Sequence, residues 1–244
     1  MSGNTTVYHT AHIWERGRRR SNEDSLVIMD VVAGRDRILL AAVADGIGGL
    51  DKGGYAGSYV TGQIKEAFTD YVRARNKVNL GGLCRQLMRT LYNCHLYLRD
   101  YGNTHAIHLG TTVSILCLIG RRGIAINVGD SRLYLIGHHV KQLGRDHIDS
   151  KGHLIRCIGS GTYHRIQIIK FRLNKYSEAI LCTDGFYRLG ADRLCAFADI
   201  NRARINIGED KLHSMLTDIG NYVISHGESD NISAIAISTG GIHD

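Results

Sequence analysis

Acidic residues recur in this sequence at the ends of apolar runs, most of them beside glycine or another turn residue. Asn22-Glu23-Asp24 leads into one run, Asp45-Gly46 closes residues 38–44, and Gly129-Asp130 closes 123–128. Asp184-Gly185 follows 179–183, and Asp230-Asn231 stands before 232–237. A single Asp-Gly is an ordinary turn dipeptide. A set of them at one rim is different, because gathered carboxylates repel one another and a fold keeps such a cluster when cations neutralise it. Hard oxygen donors with no neighbouring Cys or His pattern suit Mg²⁺ or Mn²⁺ rather than zinc. The glycine after Asp45 exposes a neighbouring backbone carbonyl as a further donor. Two such ions about 4 Å apart share a water, lower its pKa and present it for in-line attack on phosphorus, the chemistry of phosphoester hydrolysis. A substrate phosphate then calls for a guanidinium fork, and Arg19 stands just upstream of Asp24.

The elements that hold these residues can be read from hydrophobic spacing. Short runs rich in Val, Ile and Leu at 26–29, 38–44, 111–119, 123–128, 133–136, 166–173, 179–182 and 232–237 predict strands. Ile38-Leu39-Leu40-Ala41-Ala42-Val43 is apolar on both faces, so that strand is expected to be covered on both sides. Helical stripes run through Ala56, Tyr59, Val60, Ile64, Ala67, Phe68, Tyr71 and Val72, and through Leu80, Leu83, Leu87, Met88, Leu91, Cys94 and Leu98. A third joins Leu212, Met215, Leu216, Ile219, Tyr222 and Val223, with Gly227 as its stop. Strands, a helix pair, strands and a further helix do not alternate regularly, which argues against a doubly wound parallel sheet. Packed antiparallel sheets with helices outside suit the order better. No period of about 20 to 50 residues repeats, which speaks against a solenoid or propeller.

With these residues in order, the chain resembles the metal-dependent Ser/Thr protein phosphatases of the type 2C (PPM) family in their compact bacterial form. The segments that carry the likeness are Arg19-Arg20-Ser21-Asn22-Glu23-Asp24, Val43-Ala44-Asp45-Gly46-Ile47-Gly48-Gly49, Gly110-Thr111-Thr112, Val128-Gly129-Asp130-Ser131-Arg132, Leu181-Cys182-Thr183-Asp184-Gly185 and Ser229-Asp230-Asn231-Ile232-Ser233. They span nearly the whole chain, so one catalytic domain over 1–244 is expected. The resemblance implies an α+β fold, a four-layer αββα sandwich of two antiparallel sheets flanked by helices. It implies a binuclear Mg²⁺ or Mn²⁺ centre, with direct attack by water and no phosphoenzyme. Carried over by position, Asp45 bridges both ions, Gly46 offers its carbonyl, and Asp184 and Asp230 complete one ion's coordination. Glu23 and Asp24 ligate weakly or through water, Asp130 with Asp184 supports a weak third ion, and Arg19 binds the substrate phosphate. The implied reaction is hydrolysis of phosphoserine and phosphothreonine on proteins, in opposition to a cognate Ser/Thr kinase.

Two departures from the family pattern stand out. Many eukaryotic members carry a histidine after the first Asp-Gly as the implied proton donor, whereas Ile47 stands here and cannot donate. The general acid is then a metal-bound water or another histidine. Second, only residues 147–153 separate Gln142-Leu143-Gly144-Arg145-Asp146-His147 from Leu154-Ile155-Arg156-Cys157-Ile158-Gly159, where relatives insert a mobile flap. A deleted or turn-sized flap predicts a more open site, looser peptide selectivity, a weak or absent third ion and retained activity on a small aryl phosphate.

Composition sets the remaining bounds. The 244 residues are 43% hydrophobic and 22% charged, ordinary globular proportions. Charges or glycines interrupt every apolar run before the roughly 18 to 20 residues of a bilayer span, and the N-terminus lacks the apolar core of a secretory signal. A cytoplasmic, monomeric protein without membrane contact is expected. The net charge of +7 and the Arg16–Arg20 run favour anionic partners. The fixed distance of that run from Asn22-Glu23-Asp24 assigns it to phosphate recognition rather than nucleic acid. Cys84, Cys94, Cys117, Cys157, Cys182 and Cys195 are read as reduced core thiols. The scattered histidines receive no metal role, and Gly110-Thr111-Thr112 and Ser131 are expected to buttress the acidic rim rather than react. Two other functions compete: a catalytically silent phosphatase-fold scaffold, against which Asp45, Asp184 and Asp230 count, and a switch phosphatase for a single partner, against which Arg19 counts.

Overall fold

The double-faced run at 38–43 dictates the layering. In the computed structural model, which describes residues 6–47, 52–163, 166–205 and 207–240, this run lies in a long strand, β3 (Asp36–Ile47). Ile38, Leu40 and Ala42 point one way into a core shared with helices, while Leu39, Ala41 and Val43 point the other way into a core between two sheets. Both sets are fully buried. Removing each large aliphatic side chain from water contributes roughly 1.5–3 kcal/mol.

Before β3 come β1 (Tyr8–Glu15) and β2 (Asp24–Ala33); after it come α1 (Gly53–Arg73) and α2 (Leu80–His105). The chain continues through β4 (Gly110–Thr111), β5 (Val113–Ile119), β6 (Arg122–Val128), β7 (Arg132–Ile136), β8 (Val140–Leu143), β9 (Gln167–Arg172) and β10 (Glu178–Cys182). It closes with α3 (Asp184–Gly190), a 3-10 turn at Ala191–Leu194, α4 (Cys195–Arg202), α5 (Glu209–Ser225) and β11 (Ile232–Thr239). One sheet has the order β1-β11-β10-β7-β8, and the other β2-β3-β5-β6-β9 with β4 paired to the end of β3. Their strand pairs are antiparallel. Helices α1 and α2 cover the β3 sheet, whereas α3, α4 and α5 cover the β11 sheet. The αββα sandwich expected from the sequence is the observed fold.

Several details differ from the sequence reading. The run 111–119 is broken at Thr112, whose hydroxyl is taken up by the backbone N–H of Asp45 and by Ser131. Strands β1 and β8 lie at the two edges of one sheet and carry polar residues, and α3 and α4 are too short to display a periodic stripe. Two cysteines correct the core-thiol reading: Cys195 is exposed where α4 begins, and Cys157 is partly exposed, while the other four are buried. The six are free thiols. Among the described residues no helix is long and apolar enough to cross a membrane. Residues 147–154 form a tight turn closed by an Ile148–Leu154 bridge and by Asp149, whose carboxylate accepts from the N–H groups of Lys151 and His153. The flap is therefore turn-sized, as its sequence length predicts.

Candidate active site

Strand register creates the first part of the site. In the antiparallel pairing of β2 with β3, Asp24 lies directly opposite Asp45. Like charges in that position are destabilising unless something compensates them. Asp24 is almost fully buried and accepts a hydrogen bond from Thr183 Oγ at 2.9 Å, which ties β2 to the end of β10. Thr111 Oγ donates to the Asp45 carbonyl at 2.9 Å, and Thr112 Oγ accepts from the Asp45 N–H at 3.0 Å. Thr112 and Ser131 hydroxyls pair at 2.6 Å. These groups brace the acidic rim, the role expected for them.

The other sheet supplies the second part. Asp184 opens α3 directly after β10, and Asp230 precedes β11, the neighbour of β10. Asn231 fastens the arginine loop to this turn: its side-chain amide donates to the carbonyls of Arg16 (2.8 Å) and Ser21 (2.9 Å), and its oxygen accepts from the Glu23 N–H (2.9 Å). Gly17 has a φ of +60° and its backbone packs on the Asp230 carbonyl, a position with no room for a side chain. On the opposite wall, Gly46 packs against Gly53 at the start of α1, where a Cβ on either would collide with the other's carbonyl oxygen. The Glu23 carboxylate lies against Gly53.

Together these elements enclose an open cavity of about 570 Å³ lined by Arg19, Glu23, Asp45, Gly46, Asp130, Asp184, Arg188 and Asp230, among others. Asp24 lies beneath, paired with Asp45. Every residue named from the sequence as a ligand or phosphate contact is thus brought to one place. Gly48 and Gly49 of the Asp45 segment lie outside the described residues. The turn at 147–154 contributes Gly152 and Leu154 to the rim, and Ile47 lines the wall. No histidine lines the cavity among the described residues.

Charge within the cavity is unbalanced. Burial raises the Asp45 pKa well above the usual carboxylate range, and Asp24, Asp184, Asp130 and Asp230 push it further. Asp24 rises to about 7, chiefly through burial, against the hydrogen bonds of Ser233 and Thr183 and with the fields of Asp184 and Asp230. Burial likewise lifts Asp184 to about 6, opposed by Arg188 and reinforced by Asp130 and Asp230. Asp130 is raised by burial too. The cations present are arginines. Arg19 Nη2 meets Asp230 Oδ2 at 2.8 Å, and Arg188 binds Asp184 Oδ2 while its Nη1 stands 3.7 Å from Asp230 Oδ2. Burial works against the Arg188 charge, yet Asp184, Asp230 and Glu228 hold its pKa above the ordinary value.

Among the described residues, no three His, Cys, Asp or Glu side chains are already grouped as an ion cage. The donors nevertheless fit a hard divalent cation. They are oxygens, they converge from both sheets, and Asp184 Oδ1 is buried without a hydrogen-bond partner. Asp45 has neither an ion pair nor a side-chain hydrogen bond among the described residues. Arg188, Asn231 and Thr183 are participants that the motif reading did not assign individual roles. Arg188 follows Asp184 by one helical turn, a signal legible only once α3 is known to be a helix.

Known proteins place this arrangement in context. The protein phosphatase 2C family profile matches residues 15–217. Serine/threonine phosphatase stp of Listeria monocytogenes is 22% identical over 250 residues, covering 94% of this chain and 95% of that protein. The crystal structure of serine/threonine phosphatase Stp1 from Staphylococcus aureus superposes with a TM-score of 0.78 at 20% identity, covering 97% of each chain. PppA of Pseudomonas aeruginosa, described as a regulatory component of T6SS, superposes at 0.76 and 19% identity, over 96% of this chain and 98% of its own.

Proposed function

Since the chain belongs to the protein phosphatase 2C family, and so is a protein serine/threonine phosphatase, we propose that it acts at a pair of divalent ions held in this cavity, opposing a Ser/Thr kinase. The observation that carries the metal reading is the meeting of Asp24 and Asp45, paired across one sheet, with Asp184 and Asp230 from the other. No cation other than arginine stands among them in the described residues. Asp45, the Gly46 carbonyl, Asp184 and Asp230 would hold the ions, Glu23 and Asp24 would act at the margin, and Asp130 with Asp184 would support a weaker third. Bound there, Mn²⁺ or Mg²⁺ supplies Lewis acidity and lowers the pKa of a water for attack on phosphorus.

The chain's own residues do the rest. Arg19 sits at the mouth with its guanidinium half exposed, placed to turn from Asp230 to two oxygens of an incoming phosphate. Asn231 and Gly17 hold the loop that aims it. Thr111, Thr112 and Ser131 fix the Asp45 backbone, so its carboxylate is pre-positioned. Ile47 presents a hydrocarbon wall and no proton, and among the described residues no histidine lines the cavity. The turn-sized 147–154 segment leaves the entrance open to phosphorylated segments of proteins and to small aryl phosphates alike.

The test is turnover of a phosphothreonine peptide and of p-nitrophenyl phosphate by purified protein with Mn²⁺, then with EDTA. Hydrolysis of both that EDTA abolishes and Mn²⁺ restores is the expected result. Turnover indifferent to EDTA would overturn the metal mechanism.

A further inference from the structure

Arg188 follows from the helix that carries Asp184. In α3 the two are four residues apart, so they share one face, and an acid at the first turn with a base at the last suits the helix dipole. The helix is locked in rotation. Phe186 is fully buried, and Gly190 is pressed so closely on Ile219 and Val223 of α5 that a Cβ there would lie 2.8 and 3.1 Å from their side chains. Arg188 is therefore held facing the cavity.

The carboxylate oxygens are divided among few partners. Asp230 Oδ1 accepts the Asn231 N–H at 2.8 Å, while its Oδ2 takes Arg19 at 2.8 Å and has Arg188 at 3.7 Å. Asp184 Oδ2 takes Arg188, and Asp184 Oδ1 is the buried atom without a partner. The Glu228 carboxylate pins the Asp230 turn by accepting from the N–H groups of Ser229 and Asp230, at 2.8 and 3.0 Å. One guanidinium thus straddles two aspartates that arrive from different elements.

We propose that Arg188 is a resident counter-ion of the metal-binding aspartates: it holds Asp184 Oδ2 and faces Asp230 Oδ2, so a divalent ion that takes these oxygens must first displace it. The inference rests on the metal reading above and adds a regulatory consequence. Arg188 keeps the acidic cavity tolerable without metal and sets the ion concentration at which the site loads. Its side chain is half exposed, so the displaced guanidinium can swing into solvent without disturbing α3. Among the described residues Arg19 is ion-paired with Asp230 and not with Asp184.

Calorimetric titration of metal-free protein with Mn²⁺ tests this, alongside thermal melts in EDTA. Arg188→Gln is expected to bind Mn²⁺ about five- to tenfold more tightly than the parent, as expected for removing a charge-assisted, partly exposed competitor. It should also melt lower in EDTA, with a larger rise on adding Mn²⁺. Arg188→Lys, which keeps the charge without the fork, should fall between. Arg75→Gln, a charge removed roughly 30 Å away beyond the far end of α1, should match the parent in Mn²⁺ affinity. Unchanged or weaker Mn²⁺ binding by Arg188→Gln overturns the proposal, including the case in which only KM for phosphate esters rises. Absence of Mn²⁺ binding by the parent and all variants overturns the metal reading itself, and this inference with it.

Discussion

Asp24 and Asp45 face one another across β2 and β3 with no hydrophobic reason to do so, and Asp45 carries carboxylate fields from four neighbours. An acid whose folded pKa is raised gives stability that is fully present below its unfolded value and is lost as pH rises through the folded one. Metal-free protein should therefore lose stability as pH rises from about 4 through about 6 and 7, where Asp184 and Asp24 are forced to ionise, and buried Asp45 adds to the loss in the same direction. Asp45→Asn is expected to lower Mn²⁺-dependent turnover at least about a hundredfold and to raise the melting temperature in EDTA, with a larger gain in alkaline than in acid buffer. A lower melting temperature with residual turnover would show instead that Asp45 serves the fold. Arg19→Ala is expected to raise KM about tenfold with a smaller change in kcat, read from steady-state kinetics on a phosphopeptide. The acidic residues that line the cavity and Arg19 were legible in the sequence because Asp and Arg stood at fixed places in recognisable segments. Arg188 was not, because its meaning lies in the helical turn from Asp184 and in the nearness of Asp230, which is remote in sequence.

At the scale of elements, what the sequence revealed depended on burial. Strands covered on both faces, such as β3 and β5, carry continuous apolar runs at 38–44 and 115–119, and α1, α2 and α5 are long enough to show a stripe. Strand β1, an edge strand with three of its eight residues buried, reads as polar sequence, and α3 and α4 contain too few turns to reveal a period. The break at Thr112 has no local signal, since its cause is the Asp45 N–H more than sixty residues away in the chain. One contact between elements makes a separate prediction. Glu178 of β10 is buried, accepts from the Asn201 amide of α4 at 2.6 Å, and is pushed to about 7 by burial despite that bond. Its contribution to stability is present at acid pH and lost as pH rises through 7. Glu178→Gln should keep the link to α4 and stabilise the protein at pH 8 by up to about 3 kcal/mol, with little change at pH 4. Melts at the two pH values decide it, and equal shifts at both would refute the assignment.

For the molecule as a whole, the two-sheet sandwich brings Asp24, Asp45 and Asp130 from one sheet against Asp184 and Asp230 from the other, with Arg19 and Arg188 beside them. Neither sheet alone would make the cavity, which is why the inter-sheet core of Leu39, Ala41, Val43, Leu181, Ile235 and their neighbours matters to chemistry as well as stability. The turn at 147–154 leaves that cavity open on one side. The most direct measurement is anomalous diffraction at the manganese edge from crystals grown with Mn²⁺. Two peaks are expected in the cavity about 4 Å apart, both contacting Asp45, with Asp184 and Asp230 on one of them and Arg188 turned away. Manganese-saturated crystals without a peak near Asp45, from protein that still hydrolyses phosphopeptide in solution, would contradict the metal mechanism.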